Sequence, residues 1–590
     1  MTRLLAVALN LSYLFASAAQ TLAIDNPAGE SEDSKVKAIY EREWAWRQDQ
    51  LQEDEDEVRR TIPDRLPWVN PEAQGARLAY WNDVLASLDK ISVAALSPAE
   101  AVNYAIYRAQ IQVLIGEQRF KDYEKPLNSD SSFWGNLAQT ARRTFHSAED
   151  YRHYTAQLNQ FPRYFKEQIA NLRAGLARGF TPPRVTLTGR DGSIASVANT
   201  TNAEDNSFYA PFKAMPASIP AEEQQALRLA GAKAISESVV PAHAELLKFM
   251  REKYVPGARK ALDAQSLPNG KAYYQFKIKQ YTTLDLTPEQ IHAIGLAEVD
   301  KIKSQMMDVM KRVAFNGDFP AFLHFLRTDP QFYAKTPEEL LTRAAWIAKQ
   351  FDGKAGDYFG YLPRARFAIK PVPAEIAPFY TGGRGGPGVY LLNTYNLSSR
   401  PLYVLTALTL HESAPGHAFQ MPIALEHKEQ PEFRQHGYIS AYGEGWALYC
   451  EKLGIEMGMY ETPYDTFGML TYQMWRAARL VVDTGVHAKG WTREQSQKFL
   501  HDNTALSEHE IETEVDRYIA WPGQALSYYL GELSIEKARR NAEEQLGSRF
   551  NIRAFHDTVL ELGSVPLPVL EARIERFIAD GGKGPYPDLE

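Results

Sequence analysis

The chain has 590 residues, about four times a typical single-domain length, which excludes one 100-residue fold. Hydrophobic residues make up 44% and charged residues 23%, ordinary globular proportions that exclude a disordered or collagen-like chain. The balance of 65 basic against 73 acidic residues, −8, lacks the positive field that nucleic acid or an anionic membrane demands, and the single cysteine, Cys450, excludes a disulfide framework and any multi-cysteine metal site.

In chain order, residues 1–23 read as a secretory signal peptide. Arg3 gives the positive start, Leu4 to Phe15 the apolar run, and Ala16-Ser17-Ala18 a small-x-small cleavage site, with Thr21-Leu22-Ala23 as a second. Asn10 and Ser12 interrupt the run, so an uncleaved membrane anchor is the poorer alternative, and no Cys follows to carry a lipid. The mature protein is expected to be exported, periplasmic or secreted, without a stable membrane anchor. Residues 25–35 read as a mobile leader, and the acidic run Glu53–Glu57 as a solvated face or turn.

Helical spacing runs from Val36 to Leu176, as in Tyr104, Tyr107, Ile111, Leu114 and Ile115. Residues 181–212, with Pro182-Pro183, Gly189 and Gly192, predict a long loop or hairpin. Thr287-Pro288-Glu289-Gln290 is a capping box with Pro at the first helical position, so a helix should run from Pro288 past Met310. Pro371, Pro373 and Pro378 lead to the glycine run Gly382–Gly388, read as a turn feeding an exposed strand, Val389–Thr394. A phosphate loop would need Lys-Ser/Thr and a helix after the glycines, and neither follows.

The chemistry concentrates in His411-Glu412-Ser413-Ala414-Pro415-Gly416-His417, within the helical stretch Leu402–Leu425, and in Glu444–Glu451, which opens another helix. Zinc takes three nitrogen or carboxylate ligands and keeps a position open. On a regular helix, two His six residues apart diverge by roughly 120°. Pro415-Gly416 can break the helix and bring His417 back beside His411, because Pro removes an amide donor and Gly accepts almost any backbone angle. Glu412 is placed as general base, and Glu444, on a second helix, as third ligand. Glu451, seven residues on along the same face, is either the rival ligand or a carboxylate orienting a ligand His.

These segments, HESAPGH and EGWALYCEKL, resemble the signature of the bacterial domain of unknown function 885 family. So do Leu267–Tyr274, Gly388–Tyr395, Ser398–Pro401, Val482–His487 and Asp516–Tyr528. Ala418 departs from the family, which often has a second His there. The resemblance implies kinship with the helical, cleft-shaped zinc peptidases of the angiotensin-converting enzyme, thimet oligopeptidase and carboxypeptidase Taq type. It thus implies a mainly α fold with a small β-sheet beside the site, and Zn2+ on His411, His417 and Glu444.

Further roles are assigned on that basis. Tyr518, Tyr528 and His487 are candidates to stabilise the oxyanion, with Asp483 one turn from His487 to fix its tautomer. Arg479 and Arg517 could hold a substrate carboxylate. The strand carrying Tyr390 and Asn393 could bind an extended substrate by edge pairing. The expectation is one catalytic domain over 24–590, or two lobes at about 36–370 and 371–590 around a cleft, acting as a zinc-dependent hydrolase of short peptides. The alternatives are a metal-dependent amidase or esterase, and a non-catalytic helical binding protein.

Overall fold

The computed structural model describes residues 31–52, 62–129, 131–374 and 376–587. The expected signal peptide and the acidic run Glu53–Glu57 lie outside them. The end of the expected leader is already helical: Ser31 caps the helix Glu32–Leu51 by accepting from the Ser34 N–H.

Among the described residues the fold is mainly α, with one three-stranded sheet. The capping box forms as read: Thr287 Oγ1 accepts from the Gln290 N–H, Gln290 Oε1 accepts from the Thr287 N–H, and the helix runs Pro288–Arg312. It packs on the helix Pro463–Lys489, which Thr462 and Asp465 cap in the same way. This second helix is buried without interruption from Phe467 to His487, so it is a core helix surrounded on all sides. Gly295 permits the contact, since a Cβ there would lie 2.8 Å from Leu480 Cβ.

The apolar side chains form two cores. One gathers residues between Ile62 and Ala258, including Phe133, Trp134, Phe165 and Tyr254. The other joins the first helix to residues from Ala264 to Phe577 and contains the long core helix. The larger core also takes residues from Trp81 to Ile115 and Phe180, so no single cut in the chain separates the two cores, and one near 370 would run through the larger. Residues 181–212 are not a loop or hairpin. They wind through short helical turns, including Gly192–Ala198 and Ala210–Lys213, because Ile194, Val197, Phe208 and Phe212 turn into the smaller core.

The sheet has the order β1-β3-β2, with β1 Ala368–Pro371, β2 Gly383–Gly386 and β3 Val389–Leu392. β3 pairs with β1 in parallel and β2 in antiparallel register, so it is the central strand and cannot take a substrate on its edge. The glycine run is itself the edge strand β2, not a turn. A Cβ on Gly385 would stand 1.7 Å from the Glu412 carbonyl oxygen, so the strand reaches the helix backbone only without a side chain.

Candidate metal centre

The expected helix over Leu402–Leu425 breaks where the sequence placed Pro-Gly. One helix covers Leu405–Glu412, wholly buried, and a second covers His417–Glu426. Between them the chain loops back, and the Gly416 N–H donates to the Leu410 carbonyl at 3.0 Å. Trp446 Nε1–H clamps the loop by donating to the Pro415 carbonyl at 2.8 Å. The two imidazole rings end 5.0 Å apart between centroids, at 83°. The helix Ser440–Glu456 brings Glu444 to them, and Gly445 against Gly531 lets it lie close to the helix Ser527–Leu546.

Ligand atoms of His411, His417 and Glu444 all lie within 4.8 Å of one another. Glu444 Oε2 is 3.5 Å from His411 Nε2 and 3.4 Å from His417 Nε2. Zinc bonds of about 2.0–2.1 Å in a tetrahedron place donors roughly 3.3 Å apart, close to the separations of Glu444 from each histidine. The other Glu444 oxygen, Oε1, accepts from the Tyr438 hydroxyl at 3.2 Å. Glu451 is not a member of the trio. Its Oε1 accepts from His411 Nδ1 at 2.7 Å, which leaves Nε2 as the coordinating nitrogen, with the tautomer assigned from this bond.

The electrostatics favour a cation. Burial opposes charge on His411, but Glu444 and Glu451 outweigh it and raise its pKa to about 9. Burial likewise opposes charge on Glu444, yet His417 and His411 hold its carboxyl well below the usual range. Replacing Glu451 by Gln should weaken zinc affinity about 10- to 100-fold, as expected when a ligand histidine loses its orienting carboxylate, and chelator competition would measure it.

Glu412 ends the first helix with Oε2 accepting from the Gly385 N–H at 2.6 Å. A cleft of about 3900 Å³ opens over the site, lined by His411, Glu412, His417, Glu444, β2 and Tyr438. Tyr528, Arg479 and Arg517 also line it, as the sequence suggested. Arg517 donates to Gln524 Oε1 and to the Tyr528 hydroxyl, at 2.8 and 3.1 Å.

Four expected site residues do not face the cleft. His487 is fully buried, with Nδ1 accepting from the Ala264 N–H and Nε2 bonded to the Tyr518 carbonyl; burial pushes its pKa down to about 3. It is a neutral tie between segments, not an oxyanion donor. Nor does Asp483 set its tautomer, since Asp483 accepts from the Tyr274 hydroxyl and the Gly523 N–H. Tyr518 is buried with its hydroxyl accepting from Trp475 Nε1 and Arg479 Nε and bonded to Glu514, so none of its capacity is left for a substrate. Tyr390 points from the central strand into the core. Asn393 is buried too: its amide donates to the Ala377, Tyr380 and Thr381 carbonyls and shapes the loop before β2.

Asp483 carries a pH prediction. Burial pushes its pKa up to about 7, only partly offset by Tyr274 and Gly523. The unfolded carboxyl ionises near pH 4, so the folded state holds the extra proton between those values and loses stability as pH rises through them. Urea unfolding should find the parent losing up to about 4 kcal/mol more than Asp483→Asn between pH 4 and 8.

Tyr438 was not legible as a site residue. It is one of 31 tyrosines, placed on a loop that only the fold brings to the cleft. Arg476 was also missed; its Nη2 is 3.7 Å from Glu451 Oε1.

Residues 55–574 match the family described as bacterial protein of unknown function (DUF885). No curated protein matches the sequence. A putative lipoprotein from Colwellia psychrerythraea has a similar crystal structure, with a TM-score of 0.85 and 27% identity over 93% of this chain and 100% of that one. A putative lipoprotein of unknown function from Shewanella oneidensis shares the fold at 16% identity, with a TM-score of 0.68 over 92% of this chain and 99% of that one. No described helix is long and apolar enough to cross a membrane.

Proposed function

The chain belongs to the bacterial DUF885 family, and we propose that it is a zinc-dependent hydrolase cleaving peptide bonds of short peptides. The observation that carries this reading is the convergence of His411, His417 and Glu444 within 4.8 Å, beside Glu412, on the wall of one large cleft. His411 and His417 through Nε2 and Glu444 through Oε2 would hold the ion. When bound, it supplies the Lewis acidity that acidifies a water and polarises a carbonyl.

This chain's own residues do the rest. Glu412, anchored by the Gly385 N–H, accepts a proton from the attacking water and passes it to the leaving amine. Tyr438 lies against Glu444 at the cleft, where its O–H can turn to a developing oxyanion; Tyr528 lines the same cleft. Edge pairing of an extended substrate is not part of this reading, because β3 is central and the outward Gly385 N–H of β2 is held by Glu412. The lipoprotein labels of the structural relatives agree with export, as does the signal-like N-terminus.

Purified protein should carry about one zinc per chain and cleave a mixed peptide library, with cleavage lost on adding chelator and restored by zinc. Chelator-insensitive cleavage, or none by zinc-loaded protein, would refute the reading.

A further inference from the structure

We propose that Arg476 and Arg479 form a carboxylate subsite in the cleft wall that takes the terminal carboxylate of a peptide. Identifying the peptide as a substrate rests on the hydrolase reading above; the subsite itself rests on the following geometry. Both residues lie on the core helix Pro463–Lys489, three apart and so on one face, and both line the cleft. Their side chains are only 5% and 1% exposed. Yet Arg476 Nε and Nη1 and Arg479 Nη1 have no hydrogen-bond partner among the described residues. Buried guanidinium donors without acceptors are costly, and an anion would satisfy them.

The local charges leave room for that anion. Glu514 serves two guanidinium groups, Arg479 at 2.8 Å and Arg517 at 3.5 Å, which hold its pKa down at about 2 against the effect of burial. The acid nearest Arg476 is Glu451, whose Oε1 is already taken by His411. Arg479 and Arg517 therefore share Glu514, while the ion pair of Arg476 is the 3.7 Å approach to Glu451. Aromatic rings hold the guanidinium planes in place. Trp475 lies 4.0 Å from Arg476 and 4.4 Å from Arg479, and Tyr528 lies 4.3 Å from Arg479. A planar fork fixed this way suits the two oxygens of a carboxylate better than a point charge would.

The subsite is close to the chemistry, because Arg476 reaches Glu451 and Glu451 reaches His411. A peptide anchored there by its terminal carboxylate presents a bond near its C-terminal end. Acidic side chains offer the same oxygens, so the probe must separate the two sources.

The test uses random pentapeptide libraries without Asp or Glu, one ending in the free acid and one in the amide. Each is passed over the immobilised Glu412→Gln chain loaded with zinc, and retained peptides are read by mass spectrometry. The acid library should be retained at least about 10-fold more than the amide. Adding Arg476→Gln should bring the two forms to near parity by lowering the acid form alone. If that variant fails to fold, Arg476→Lys, which keeps the charge and loses the fork, should still narrow the ratio. Equal retention of both libraries, retention of neither, an unchanged ratio in the arginine variants, or an equal fall of both forms would overturn the subsite. Failure of the hydrolase reading looks different: the parent chain with zinc then cleaves neither library, while the acid-to-amide preference persists.

Discussion

Glu412→Gln should lower kcat roughly 100- to 10,000-fold on any peptide the parent cleaves, the range a positioned general base contributes. The substitution keeps the side-chain shape and an oxygen able to accept from the Gly385 N–H, so the contact with β2 survives. It removes only the capacity to take a proton. Zinc content and unfolding midpoint should therefore match the parent, and a KM close to the parent value would place the loss in the chemical step. A variant that keeps its activity would remove Glu412 from its role, and one that loses zinc would show that it does more than move a proton.

Gly416→Ala should be strongly damaging, because the added methyl group meets backbone beside the site. A Cβ there would lie 1.8 Å from the His411 carbonyl oxygen and 2.6 Å from that of Leu410, and both oxygens belong to buried backbone. Neither can yield without moving the end of the first helix, which carries His411. A loss of about 3 kcal/mol, the upper end of the usual cost of overpacking, is expected together with loss of zinc binding. Chemical unfolding and metal analysis of the same preparation would check both. Full zinc retention at parent stability would mean that the turn between the histidines can be rebuilt without the glycine.

The site was partly legible because its main signals are local. The pair His411 and His417, the break between them and the adjacent Glu412 sit within seven residues, and Pro415-Gly416 announces by its own stereochemistry that a regular helix cannot continue. Glu444 and Glu451 were readable as a pair on one helix face, but their roles were not. Which carboxylate points at both Nε2 atoms and which at His411 Nδ1 depends on how the helix Ser440–Glu456 lies against its neighbours, a distance set partly by Gly445 on Gly531. The assignments that failed share one cause. His487, Tyr518 and Asn393 are polar groups whose partners include main-chain or side-chain atoms at least 12 residues away, Tyr390 is packed into the core, and a one-dimensional pattern cannot tell a buried polar group from one facing a cleft.

By itself, the sequence determined the helical character, the capping box at Thr287, the absence of a disulfide framework and the short segments that hold chemistry, because caps, periodicity and backbone breaks are written in neighbouring residues. Only the tertiary structure decided that the larger core joins the first helix to the C-terminal half, that the glycine run is a strand pressed on the Glu412 backbone, and that Arg476 and Tyr438 stand at the candidate metal centre. Apart from Tyr438 on Glu444, six residues on, those outcomes are contacts between residues tens to hundreds of positions apart. They follow from how two cores pack around a cleft, and no local pattern records that packing.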